Sequence, residues 1–157
     1  MNSPQHSPAA LRQTWFVIFV FLCFSVLPYL LIGYLIEHGA TVPRGNPQSL
    51  AALTPFIIPA AGLMLVASIA YLRFQVDGKI GGEGRPLTLS PTEFQTLSII
   101  ALALSEACSI FGLFLFFIGA PLQQLAYFVL ATLFVNFAFV LPRGLRFWDA
   151  YARSINP

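Results

Sequence analysis

The sequence predicts an all-α membrane protein with four transmembrane helices, and three observations carry that prediction. The chain has 157 residues, 57% of them hydrophobic and only 9% charged, where a soluble domain carries roughly 25% charged residues. Its mean hydropathy is +0.78. Four unbroken apolar stretches each approach the roughly 20 residues a helix needs to cross about 30 Å of hydrocarbon. Finally, all but one of the eight Lys and Arg residues fall at one side of those stretches. The composition excludes a soluble globular enzyme, a disordered chain and a nucleic-acid-binding domain. A formal net charge of +2 is too small to imply a polyanionic partner. The runs are also too long and too continuous for the roughly ten-residue alternating strands of a transmembrane barrel.

The first stretch, 15–36, contains Pro28. It is longer than the roughly 7–15 apolar residues of a signal peptide, and only Arg12 precedes it, so it reads as a retained helix. The second, 50–74, carries Pro55 and Pro59 in its first turns. The third, 94–118, contains Glu106, and the run Ser90-Pro91-Thr92-Glu93 before it has capping-box spacing with proline at the first helical position. The fourth, 124–141, contains Asn136. With no water in the hydrocarbon, backbone groups must be satisfied internally, which makes each stretch a helix.

Residues 1–14 and 142–157 are then tails flanking a transmembrane domain over 15–141. Four spans put both termini and the central connection on one side. That side holds Arg12, Arg73, Lys79, Arg85, Arg143, Arg146 and Arg153, and the other holds Arg44. By the positive-inside rule both termini are cytoplasmic, and Trp15 and Trp148 stand near that face as interfacial anchors. The expected location is the bacterial inner membrane. The short Gly119-Ala120-Pro121 connection makes the third and fourth helices a tight antiparallel hairpin. The central connection, 75–92, is glycine-rich but lacks GxxxxGK[ST] spacing, and reads as a flexible linker rather than a phosphate loop.

Few side chains suggest chemistry. His6 and His38 both lie outside the spans, which leaves no intramembrane haem ligands and no zinc set. Cys23 and Cys108 lie inside spans and read as packing thiols. Arg143, Arg146 and Arg153 fall short of the usual 4–8 residue lipid-binding cluster and read as a topology signal. No catalytic residue, metal or cofactor is expected. Asn136 reads as an interhelical hydrogen bond worth about 1 kcal/mol.

Glu106 is the exception. It lies twelve residues after Phe94, or about 18 Å along the helix axis, near mid-membrane. An ionised acid there costs at least about 2.5–3.5 kcal/mol, which makes such a residue a functional candidate by default. No Lys or Arg in these spans can neutralise it. Ser98, Ala101, Ser105, Cys108, Ser109 and Gly112 form a stripe of small residues suited to close helix packing. Glu106 lies off that stripe, on a face with Ile99, Leu102, Ile110, Leu113 and Phe117. Ser105, Ser109 and Thr132 are candidate partners for an ion at Glu106. As a structural acid it would be held by Ser25, Thr132 or Tyr127.

The run 99–113, IIALALSEACSIFGL, resembles the carboxylate helix of the rotary ATP synthase proteolipid, subunit c, which typically reads ALxEAxxIYGL. Glu106, Ala107, Ile110, Phe111, Gly112 and Leu113 follow that pattern, and Arg85-Pro86 stands where the family has a basic, proline-containing cytoplasmic loop. The chain is also similar to a group of small bacterial membrane proteins that combine such a helix with a Pro-Arg…Trp tail, here Pro142-Arg143…Trp148. The resemblance implies that Glu106 carries a proton or cation and that the chain assembles with copies of itself or with other membrane subunits. Two functions are therefore expected. The first is a non-catalytic accessory or assembly subunit of a larger inner-membrane complex. The second is a proton- or cation-translocating subunit. In both, the partners are the lipid bilayer and membrane proteins, with no nucleic acid.

Overall fold

The computed structural model describes residues 7–39, 45–80 and 87–155. These residues form six α-helices and no strand: α1 (Pro8–Phe24), α2 (Leu27–Gly39), α3 (Pro47–Leu72), α4 (Pro91–Ile118), α5 (Leu122–Val135) and α6 (Leu141–Ile155). A π-helical turn, Arg73–Asp77, extends α3, and a second, Asn136–Val140, joins α5 to α6. Together they make four rods long and apolar enough to cross a membrane: Pro8–Gly39, Gln48–Asp77, Pro91–Ile118 and Leu122–Ile155. His6, Arg44, Arg85, Pro86 and the glycines at 81, 82 and 84 lie outside the described residues.

Two boundaries differ from expectation. The first helix begins at Pro8, inside the expected 1–14 tail, because Ser7 caps it by accepting a hydrogen bond from the Ala10 N–H at 3.3 Å. The fourth rod does not end at 141 but continues to Ile155, through most of the expected 142–157 tail. Pro142 has no N–H to donate and would crowd the carbonyl four residues back. The wider π turn immediately before it absorbs that misfit. Beyond it, Gly144, Phe147 and Trp148 turn inward at helical spacing.

The first rod breaks at Ser25–Val26, just before Pro28. The missing N–H of Pro28 interrupts the ladder, and the Tyr29 N–H bonds instead to the Val26 carbonyl at 3.2 Å. At the start of α4 the capping box is complete. The Glu93 N–H donates to Ser90 Oγ at 3.3 Å, and the Ser90 N–H donates to Glu93 Oε2 at 2.9 Å. Between α4 and α5, Gly119 adopts φ +119, and the Ala120 N–H donates to the Leu115 carbonyl at 3.0 Å. That left-handed conformation is open to glycine and strained for other residues.

The α4 rod is the centre of the fold. It packs on α1, α2, α3 and α5, and 44% of its most apolar window is buried, against 6% for the second rod. The core at the α4 N-terminal end is aromatic. Phe94 stacks on Phe147 with centroids 4.1 Å apart, and Trp15 lies 5.9 Å from Phe94. Trp15 and Trp148 are each only 2% exposed. Both indoles therefore belong to the core rather than acting as interfacial anchors. Gly144 makes room for Trp15, since any Cβ there would overlap its ring, and Trp148 packs edge-on against Phe94 and Phe147. Arg143 grips both Asp77 oxygens, at 2.7 and 2.8 Å, and ties the second rod to the fourth.

Candidate functional site

Glu106 sits half-buried midway along α4 and faces the break in the first rod. Two hydroxyls from that rod converge on a single carboxyl oxygen, Oε1. Tyr29 donates from 2.8 Å and Ser25 approaches to 3.1 Å. The break itself arranges this, because Ser25 is the last residue held by α1 geometry and Tyr29 lies in the first turn after Pro28. Ser25 and Tyr29 are four residues apart and share one face of the rod.

The hydroxyl of Ser25 has one proton but two acceptors in reach, the Leu22 carbonyl at 2.6 Å and Glu106 Oε1 at 3.1 Å. It donates fully to one of them at a time. Three oxygen–oxygen contacts join Leu22, Ser25, Glu106 and Tyr29, and the two hydroxyls supply two protons. The Ser25 proton is thus divided between the Leu22 carbonyl and Glu106 Oε1, while Tyr29 donates to Oε1 alone.

The small-residue stripe lies elsewhere. Ser98, Ala101, Ser105, Cys108, Ser109 and Gly112 are all buried. Ser105 donates to Asn136 Oδ1 at 2.6 Å and Ser109 donates to Thr132 Oγ1 at 2.8 Å. Thr132 in turn donates to the Ser105 carbonyl at 3.0 Å. The Cys23 thiol approaches the Asn136 side chain, so this polar cluster touches three rods. Ala101 accepts from Ser68 Oγ at its carbonyl, 2.8 Å, which brings in the second rod. Gly112 packs directly on Phe128, and Cys108 lies 3.9 Å from the Phe128 carbonyl.

Of the residues singled out from sequence, Ser25 meets Glu106, whereas Ser105, Ser109 and Thr132 bond among themselves and to Asn136. Tyr127 is exposed and accepts from Gln123. Tyr29 is the partner that sequence reasoning missed. The signal was present, since Ser25 and Tyr29 are polar residues at helical spacing in an otherwise apolar stretch. Cys23 and Cys108 are buried free thiols. Compared with protein-family models, with curated proteins and with solved structures, the chain matches none of them.

Proposed function

We propose that the chain is a non-catalytic accessory or assembly subunit of a larger membrane complex, with Glu106 as an internal clamp. One observation carries this reading: the two hydroxyls on Glu106 Oε1, Ser25 and Tyr29, belong to the chain's own broken first rod. An acid used in this way sets the angle at which α1 and α2 lie on α4. The second rod, scarcely buried within the chain, is the face left for lipid and neighbouring spans.

The same proposal places the spans as N-in/C-in, with the third and fourth as an antiparallel hairpin. In support, the pairs Ser105–Asn136, Ser109–Thr132 and Gly112–Phe128 advance in opposite directions along the two rods. The charge bias at the rod ends supports the orientation. Reporter fusions after Pro157 are expected to behave as cytoplasmic and fusions near Gly45 as external; an external C-terminus would overturn the orientation.

The function is tested with Glu106→Gln. The amide keeps the shape, and its oxygen accepts from Tyr29 and Ser25 as Oε1 does, but it cannot release a proton. An internal clamp predicts wild-type complex assembly and wild-type proton flux in membranes containing the intact complex. Loss of flux with assembly intact would replace the accessory role with the proton-carrying one implied by the resemblance to subunit c.

A further inference from the structure

We propose that the cleft between the second and third rods, at the end where their connection leaves them, binds the headgroup of an ethanolamine phospholipid. The cleft has a volume of about 270 Å³ and is lined by Lys79, Thr92, Glu93 and Thr96 at its mouth and by Tyr71 and Leu97 further in. That volume suits a headgroup with its glycerol, whereas whole drug-sized ligands occupy roughly 300–1,000 Å³. Its chemistry changes from charged to apolar along the rod axis, as a bilayer does between headgroup and chain.

The two charges are of opposite sign and, among the described residues, form no ion pair with each other. The Lys79 backbone is fixed by the turn that ends the second rod, where its N–H donates to the Val76 carbonyl at 2.9 Å. Its carbonyl accepts from the Thr88 N–H at 3.3 Å, which draws the two ends of the connection together. Glu93 is fixed by the capping box. Its Oε2 accepts from both the Ser90 N–H and the Ser90 hydroxyl, and Oε1 has no partner among the described residues. The Lys79 charge acts on Glu93, yet no ion pair joins them among the described residues. A zwitterion completes both. Its phosphate takes the Lys79 ammonium, and its own ammonium donates to Glu93 Oε1.

This arrangement discriminates between headgroups. A choline headgroup carries no N–H to donate to Glu93. A glycerol headgroup brings a phosphate without a balancing cation, and Glu93 then repels it. Ethanolamine satisfies both ends.

The test uses the full chain reconstituted in vesicles of equal parts phosphatidylethanolamine, phosphatidylcholine and phosphatidylglycerol with matched acyl chains. The protein is extracted in mild detergent and the lipid retained per chain is quantified by mass spectrometry. Ethanolamine lipid is expected at about five-fold enrichment over each of the others, equivalent to the roughly 1 kcal/mol of the one hydrogen bond that its ammonium makes to Glu93. Lys79→Gln is expected to lower the retention of all three lipids, because each carries the phosphate that Lys79 meets. Glu93→Gln keeps the capping box, which accepts either residue, and is expected to raise the glycerol lipid to parity with ethanolamine. Equal retention of the three lipids by the wild type would overturn the proposal. So would unchanged retention in Lys79→Gln, or unchanged enrichment over the glycerol lipid in Glu93→Gln. Displacement of the lipid by an equimolar amount of free phosphoethanolamine would also overturn it, by assigning the cleft to a soluble zwitterion.

Discussion

Gly112→Leu is expected to destabilise the protein by about 3 kcal/mol, at the top of the range for overpacking a tight core. A Cβ at residue 112 would lie 2.6 Å from Phe128 Cβ and 2.8 Å from its Cγ. Phe128 Cβ is fixed to the α5 backbone, so no change of rotamer removes the overlap, and α4 and α5 must move apart. Movement there stretches the Ser109–Thr132 contact, now 2.8 Å, and the Ser105–Asn136 contact, now 2.6 Å. Hydrogen bonds between membrane helices contribute about 0.6 kcal/mol each on average, so their loss adds to the steric cost. Gly112→Ala is expected to show a smaller loss in the same direction. Gly62→Ala is the control: a Cβ there meets nothing within 4 Å, and replacing a helical glycine by alanine is neutral or slightly stabilising. Unfolding by SDS in mixed micelles, followed by circular dichroism, reads all three. If Gly112→Leu unfolds with the wild type, the stripe does not form the α4–α5 contact.

The sequence shows the stripe as a packing face, though not the helix it meets, because close approach demands small side chains at helical spacing and Ser98 through Gly112 supply them. The four rods were legible for a similar reason: apolar length is a local property. The start of α4 was legible as well, since a capping box is complete within Ser90–Glu93. Features set by distant partners were harder to read. The position of Trp15 in the core depends on Gly144, more than a hundred residues away, and depth in the bilayer alone suggests an interfacial indole instead. The helical course of residues after 141 depends on a π turn that widens the backbone ahead of Pro142, and a proline read locally ends a helix. At Glu106 the sequence shows the acid and its cost. It does not show which rod the carboxyl meets, because Pro28 turns the first rod and thereby selects Ser25 and Tyr29 over the hydroxyls of the α4 stripe.

Glu106→Leu is therefore expected to cost about 2 kcal/mol, within the roughly 1–3 kcal/mol of a buried polar group left without its partner. The burden falls mainly on Tyr29. Ser25 keeps the Leu22 carbonyl at 2.6 Å as its acceptor, whereas the Tyr29 hydroxyl bonds to Glu106. Tyr29→Phe alone is expected to cost about 1 kcal/mol, the usual net worth of one hydrogen bond. In the double variant the orphaned hydroxyl is gone. Glu106→Leu combined with Tyr29→Phe should thus be less destabilised than the sum of the two single changes, with a coupling energy of about 1 kcal/mol. Ser25→Ala should couple more weakly to Glu106→Leu, since Ser25 divides its single proton between two acceptors. The same SDS titration supplies each free energy in the cycle. Strict additivity of the Glu106 and Tyr29 changes would show that the hydroxyl and the carboxyl do not meet, and the clamp between α2 and α4 would have to be abandoned.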